Sequence, residues 1–162
     1  MGKRLIVQKR GKGSLTYNSP SHRYKGQIKH PKLTKKVEEG KIIDFIDCPG
    51  HSAPLVLVKY KNGQDVLMPA PEGAKVGDFV QAGPGARIGP GSVCELKDIP
   101  EGTSIYNIEL KPGDGGKFCR ASGTFARIIS KIGNSVLVRL PSKREKMFNM
   151  ECRACVGTVS YT

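Results

Sequence analysis

The sequence predicts an all-β protein that contains two small barrels. From Val37 onward, short apolar runs of one strand's length follow one another at intervals of about ten residues, separated by glycine, proline and asparagine. No segment keeps a 3.6-residue apolar period, so helix is expected for no more than a turn or two. About 125 residues of this pattern are too many for one five-stranded barrel and suit two.

Nine apolar runs predict the strands, four in the first barrel and five in the second. They are KIIDFID (41–47), LVLVKY (55–60), DVLMPA (65–70) and DFVQAG (78–83), then SVCELKDI (92–99), SIYNIEL (104–110), FARIISK (125–131), SVLVRLPS (135–142) and KMFNMECRA (146–154). Asn62 and Gly63 predict a tight hairpin turn with positive φ at both residues, and IGNS (132–135) predicts another. The stretch from Gln81 to Ser92, rich in glycine and proline, predicts a boundary between the barrels near residue 90.

Positive charge is concentrated in the first 36 residues. They hold eleven lysines and arginines and no acidic residue, whereas the rest of the chain holds sixteen basic and fourteen acidic residues, for a net charge of +13. Basic side chains placed on phosphates release condensed counterions, so nucleic acid is the expected partner. The segment lacks the apolar stripe of a membrane-surface helix, and a merely solvated basic tail is the remaining alternative.

Residues 1–36 are therefore predicted to form an extended basic arm. Interrupted by glycine and proline, this segment cannot bury a core of its own, and we expect it to become ordered only against its partner. In SPSHRYKG (19–26), Tyr24 stands among cationic residues, and its ring could stack on a base while they hold phosphates. The predicted domains are the arm (1–36), a first barrel (37–90) and a second barrel (91–162).

The stretch KPGDGGKFCRASGT (111–124) lies between two predicted strands and combines four glycines with three cations. A Walker loop would need glycine at position 111 and serine or threonine at 118, where Lys111 and Phe118 stand. A dinucleotide fingerprint also fails at Phe118 and lacks a following helix. Glycines can instead bring the backbone close to another backbone and turn N–H groups toward phosphate oxygens. A mobile, solvated hairpin is the alternative.

No motif predicts an enzyme, a cofactor or a small-molecule substrate. The three histidines, His22, His30 and His51, have no obvious carboxylate partner, and no nucleophilic serine motif is present. With no run of about 18 apolar residues and no apolar leader at the start, we expect a soluble cytoplasmic protein without membrane contact. Five cysteines without regular spacing agree with a reducing compartment.

Cys152 and Cys155 have a spacing that can chelate zinc, but a structural zinc site needs two more ligands. Only Cys48 with His51 could supply them, and only if the fold brings the two ends of the chain together. Buried thiols in strand positions are commoner, so no metal is predicted.

Two long runs carry a family resemblance: IPEGTSIYNIELKPGDGGKFCRASGTFARIISK and VLVRLPSKREKMFNMECRACVGTV. Together with the arm MGKRLIVQKRGKGS…SPSHRYKG and the segment HSAPLVLVKY, they resemble the universal second protein of the large ribosomal subunit, in its archaeal and eukaryotic form. The resemblance covers essentially the whole chain. The combination of ELKPG-x-GG with R-A-S-G-T and ECRA is specific to that family.

The resemblance implies an N-terminal extension, an OB-fold barrel and an SH3-like barrel. It also implies a structural role in the large subunit, with large-subunit rRNA and neighbouring ribosomal proteins as partners. The matched positions implied as RNA contacts are Arg4, Lys9, Arg10, Lys12, His22, Arg23, Tyr24 and Lys25 in the arm, and Lys111, Gly113, Gly115, Gly116, Lys117, Arg120 and Ser122 in the glycine stretch.

Three departures from the family pattern limit what is carried over. The family's loop often has a basic residue where Asp114 stands, and Cys155 replaces a usual threonine. Family members also continue into a long basic C-terminal tail, and its roles are not assigned to these residues. A general OB-fold binder of single-stranded RNA is the alternative function. Such a binder would need several exposed aromatic side chains, and the whole chain has only ten Phe and Tyr residues and no Trp.

Overall fold

The computed structural model describes residues 2–3, 5–34 and 36–161. Two helical turns lie in the arm, α1 (Ile6–Gly11) and a 3-10 turn (Ser21–Arg23). Ten strands follow, β1 (Glu38–Ile46), β2 (Leu55–Tyr60), β3 (Asp65–Pro69), β4 (Phe79–Ala82), β5 (Val93–Glu95), β6 (Ser104–Tyr106), β7 (Ala126–Ile132), β8 (Ser135–Arg139), β9 (Glu145–Asn149) and β10 (Arg153–Val156). The all-β class, an OB-fold barrel followed by an SH3-like barrel, is confirmed. Within the described residues, no helix is long and apolar enough to span a bilayer.

The first barrel is built from antiparallel strands in the order β3-β2-β1-β4. A bulge between Ile42 and Asp44 interrupts the pairing of β1 with β2, and bulges of this kind bend the strand that carries them. In the β2–β3 turn only Gly63 has positive φ (82°), so the expectation of positive φ at Asn62 is wrong. The turn closes with the Tyr60 N–H bonded to the Gln64 carbonyl and has three loop residues instead of two.

The second barrel continues the sheet in the order β5-β10-β6-β7-β8-β9. The β7–β8 hairpin has the predicted two-residue turn, with positive φ at Gly133 (56°). The run KMFNMECRA, predicted as one strand, forms the end of β9 and the start of β10. The Asn149 side chain accepts a hydrogen bond from the Glu151 N–H (2.9 Å), which turns the chain between the two strands.

Three strands of the second barrel lie between two hydrophobic cores. Val93, Tyr106 and Cys155 pack into the core of the first barrel. Their neighbours along the same strands, Cys94, Ile105 and Ala154, pack into the core of the second. Because successive residues of a strand face opposite sides, β5, β6 and β10 serve both cores and read as almost continuously apolar. The boundary at residue 90 and the other domain limits stay predictions.

The end of the basic arm packs against the barrels. Ile28 is buried with Cys48 and Leu55, and the Lys29 N–H donates to the Leu67 carbonyl. His30 and Pro31 are also buried. The arm was expected to become ordered only against its partner, but its last part packs on the barrels, because the residues that it contacts lie far along the chain.

Candidate nucleic-acid interface

The glycine stretch forms a loop whose two ends are hydrogen-bonded to each other at a narrow neck. Its neck is held by the Asn107 N–H bonded to the Cys119 carbonyl (3.0 Å) and the Ile108 N–H bonded to the Phe118 carbonyl (3.0 Å). Asn107 (φ 49°) and Cys119 (φ 55°) both have left-handed backbone conformations, which are uncommon for residues with a side chain. The neck therefore fixes where the loop leaves the barrel.

A buried carboxylate organises the interior of the loop. Glu109 accepts hydrogen bonds from the backbone N–H groups of Gly113 (3.2 Å) and Gly115 (3.3 Å). Left-handed glycines turn successive N–H groups to one side and so form an anion-binding concavity. Here that concavity already holds the protein's own carboxylate. The two N–H groups, expected to face phosphate, point into the protein.

Glu109 forms a buried ion pair with Arg153 of β10. The guanidinium bonds Oε1 through Nε (3.1 Å) and through a terminal nitrogen (2.7 Å), and the Arg153 N–H bonds Oε2 (2.9 Å). Burial works against ionisation of this carboxyl, but the Arg153 hydrogen bonds and charge outweigh it, and the pKa of Glu109 is lowered. Arg153 also donates to the Pro31 carbonyl (2.6 Å). One arginine thus connects the arm, the loop and the shared sheet.

Asp114, the one acidic residue of the loop, has a structural role. Its carboxylate accepts hydrogen bonds from the N–H groups of Leu110 (3.3 Å) and Lys111 (3.3 Å) at the base of the loop. These donors would otherwise lack a partner, because the ladder ends at this point. This contact explains an acidic residue at a position where the resemblance leads one to expect a cation.

The end of the arm lies along the glycine loop. A Cβ built on Gly115 would lie 3.8 Å from the Cα of Lys29, and one built on Gly113 would lie 3.3 Å from the side chain of Leu33. The close backbone approach expected from the glycines is therefore made to the chain's own arm.

His30 fixes the arm to the neck of the loop. Its Nε2 bonds the Asn107 carbonyl (2.7 Å), so that nitrogen carries the proton, and Nδ1 faces the Cys155 thiol at 4.0 Å. Burial, reinforced by the charge of Arg153, lowers the pKa of His30 to about 4. The ring is therefore neutral at physiological pH.

Replacing Gly116 with alanine is expected to destabilise the fold clearly more than replacing Gly102 with alanine. Both glycines have left-handed φ, 84° and 81°, so both substitutions carry a backbone cost of about 1–2 kcal/mol. A Cβ at Gly116 would also lie 2.3 Å from Asn107 Oδ1 and 2.8 Å from its carbonyl oxygen, whereas Gly102 has open space. The clash adds about 1–3 kcal/mol. Urea unfolding of both variants measures the difference, and equal losses would contradict a closely packed loop.

The connection between β1 and β2 joins the arm to the glycine loop. On one side the Tyr24 ring packs on Gly50, where a Cβ would lie 2.9 Å from the ring. On the other side the Ser122 N–H donates to Ser52 Oγ (3.1 Å). Burial and the charge of Arg120 lower the pKa of His51, which lies between these contacts. Tyr24 of the arm and Ser122 of the loop therefore lie on one surface, which this connection links.

A groove of about 690 Å³ marks the arm side of this surface. Its walls combine four predicted contacts with the start of the β1–β2 connection, and they are His22, Arg23, Tyr24, Lys25, Asp47, Cys48 and Pro49. Two of these four contacts, Arg23 and Lys25, are cationic, and Tyr24 is 40% exposed. The groove thus offers an aromatic surface beside cations.

The predicted contacts differ in how accessible they are. Lys9, Arg10, Lys12, Lys111 and Lys117 are exposed, and Arg4 lies outside the described residues. Gly113 is exposed, Gly115 and Arg120 are half-buried, and Gly116 is buried. The Ser122 hydroxyl donates to the Tyr161 carbonyl (2.6 Å), so only its oxygen is open to a further donor.

Several residues that shape this surface were not among the predicted RNA contacts. His51 and Ser52 stand beside the loop, and Glu109 and Arg153 hold it in place. The run ELKPG and the segment ECRA contain the last two, but no local pattern indicates that they pair across 44 positions of sequence. The CPGHS run around His51 is the one local signal, because its proline and glycine mark a loop and loops often carry binding residues.

The cysteines do not form a metal cluster within the described residues. Cys152, which lies just before β10, packs in the second core, whereas Cys155 of β10 packs in the first, so the two thiols do not converge on one site. No group of three or more His, Cys, Asp or Glu side chains in the described part of the chain could hold an ion. All five thiols are free.

Comparison with known proteins identifies the family. A model described as "Ribosomal Proteins L2, C-terminal domain" matches residues 89–162. The protein named large ribosomal subunit protein uL2 from Methanothermobacter thermautotrophicus is 46% identical over 99% of this chain and 68% of its own length. Proteins of the same name from Archaeoglobus fulgidus (46%) and Nanoarchaeum equitans (47%) match with the same coverage. At this identity over nearly its full length, the chain belongs to the uL2 family.

Proposed function

We propose that this chain is a structural constituent of the large ribosomal subunit and binds large-subunit rRNA directly. The relatives reported above are named as proteins of that subunit. The family is structural and not enzymatic. In this function the chain works in the cytoplasm, within the ribosome, beside neighbouring ribosomal proteins. The arm and the glycine loop contact the RNA backbone and recognise its shape more than its sequence.

The observation that carries the RNA-binding role is the unpaired charge of the arm. Of its eleven basic residues, Arg4 and Lys35 lie outside the described part of the chain. The other nine are exposed, and none forms an ion pair with a described carboxylate. Nine exposed cations without counter-charges favour a polyanionic partner.

Charge is also divided between the two barrels. Residues 37–90 hold seven acidic and five basic side chains, whereas residues 91–162 hold seven acidic and eleven basic ones. The second barrel, which carries the glycine loop, is therefore the barrel that favours RNA. The outer surface of the first barrel is better suited to other partners.

Replacing Lys117 and Arg120 together with alanine is expected to weaken binding to a large-subunit rRNA fragment. Each lost phosphate contact lowers the slope of log K against log salt by about 0.7–0.9, so the double variant should flatten it by roughly one to two units. Binding isotherms at several salt concentrations measure this slope. The matched control is Lys59→Ala with Lys61→Ala, which removes the same charge from the first barrel. Equal flattening in both variants would mean that net charge, and not the loop, makes the contact.

A general binder of single-stranded RNA remains the alternative, with the aromatic groove as its supporting observation. The two functions predict different RNA-binding preferences. The ribosomal function predicts tighter binding to folded large-subunit rRNA than to unstructured RNA of equal length. It also predicts that the protein sediments with the large subunit after a high-salt wash. Equal affinity for both RNAs would favour the alternative.

A further inference from the structure

A second concave site lies on the second barrel, immediately after the glycine loop. It has a volume of about 380 Å³, which lies at the lower end of the range for ligand pockets. It is lined by one aromatic residue, Phe125, by two arginines, Arg127 and Arg139, and by Leu140 and Pro141. None of these residues belongs to the predicted contacts.

Two like charges face each other in this site. Arg127 of β7 is directly opposite Arg139 of β8, and like charges in that arrangement repel. Arg139 has one counter-charge, Glu145 of β9, at 2.9 Å. In the described part of the chain, Arg127 pairs with no carboxylate. An anion bound beside the two guanidinium groups would relieve this repulsion.

The other walls suit a flat apolar group. Phe125 is 40% exposed, and half-buried Leu140 and exposed Pro141 line the same site. Aromatic rings in such positions stack on nucleic acid bases, and arginine can bond the adjoining phosphate bidentately. A free anion would not use the aromatic wall, and a purely apolar ligand would not use the arginines.

We propose that this pocket takes one unpaired nucleotide of the RNA, with its base against Phe125 and its phosphate between Arg127 and Arg139. The inference rests on the RNA-binding function proposed above. The nucleotide has to be unpaired and turned out of its helix, because a base inside a duplex has both faces covered. The pocket wall begins at Gly123, one residue after Ser122, so an RNA strand that leaves the glycine loop reaches it directly.

Fluorescence of 2-aminopurine tests the proposal with the full chain. The probe is an RNA duplex with a single bulged 2-aminopurine, and its partner is the same duplex without the bulge. Wild-type protein should bind the bulged duplex more tightly and change the fluorescence of the base. Phe125→Leu keeps an apolar side chain without the aromatic face. It should reduce the preference for the bulge roughly fivefold or more, since stacking contributes about 1–3 kcal/mol per base.

Matched variants make the result specific. Phe79→Leu makes the same change at a Phe of the first barrel that is 76% exposed, and it should leave the preference unchanged. Arg127→Gln should weaken binding to the bulged duplex more than binding to its partner. An unchanged preference in Phe125→Leu, or equal weakening for both duplexes, would overturn the pocket proposal. If wild-type protein binds neither RNA at low salt, the RNA-binding function itself fails and the pocket proposal with it.

Discussion

Replacing Glu109 with alanine is expected to lower the free energy of unfolding by about 3–5 kcal/mol. The change leaves the Arg153 guanidinium in a site where its side chain is 7% exposed, without its counter-charge. It also removes the acceptor of the Gly113 and Gly115 N–H groups. Because the free energy of unfolding of a native protein is about 5–15 kcal/mol, this is one of the largest effects expected for a single substitution. Chemical denaturation of the purified chain measures it.

The control for this prediction is Glu145→Ala. Glu145 also pairs with an arginine, Arg139, but both side chains are largely exposed, and such pairs contribute about 0–1 kcal/mol. Hydrogen exchange adds a local measurement, since the Gly113 and Gly115 amides should exchange faster in Glu109→Gln than in wild-type protein. Equal losses of stability in the two alanine variants would contradict a buried, loop-organising ion pair.

Lowering the pH from 7.5 to 5 is expected to cost about 2 kcal/mol of folding stability through His30 alone. Burial and the charge of Arg153 lower the pKa of this histidine to about 4, against the opposing charges of Glu109 and Asp114. Below pH 6.5 the His30 ring of the unfolded chain therefore binds a proton, whereas in the folded chain it binds one only below about pH 4. Stability is complete above pH 6.5 and falls as the pH drops between these two values.

The comparison of His30→Gln with His22→Gln isolates this contribution. Glutamine at position 30 keeps a donor for the Asn107 carbonyl but does not titrate. The loss of folding stability between pH 7.5 and 5 should therefore be about 2 kcal/mol smaller in His30→Gln than in wild-type protein. His22 is exposed in the arm, and its replacement serves as the control for removing a histidine. The lowered pKa of Glu109 confines its own effect to pH values below about 4.5. The same pH dependence in His30→Gln as in wild-type protein would contradict a buried neutral histidine.

Most strands were predictable because their signal is local. The β2 segment LVLVKY has the predicted bounds, since apolar and β-branched residues between turn signals define it. The division of KMFNMECRA into β9 and β10 was missed, because no glycine or proline marks it. Asn149 was the available signal, as an asparagine side chain can close a turn by itself.

The organisation of the glycine loop was not predictable from local sequence. Glycines and cations correctly indicated a backbone with unusual freedom, but they do not say which anion the N–H groups face. That anion is Glu109, held by Arg153, and the arm that covers the loop is more than 70 residues away in sequence. Long-range pairing of this kind follows from tertiary packing, and composition alone gave only the net charge.

The position of β10 between the two cores has a consequence for how the molecule unfolds. Ala154 and Cys155 are neighbours in the chain, yet each fills a different barrel's interior. Unfolding of either barrel that displaces β10 would therefore also expose the core of the other barrel. Although two barrels are present, we therefore expect them to unfold together, since a cut at residue 90 would leave each half with an incomplete interior.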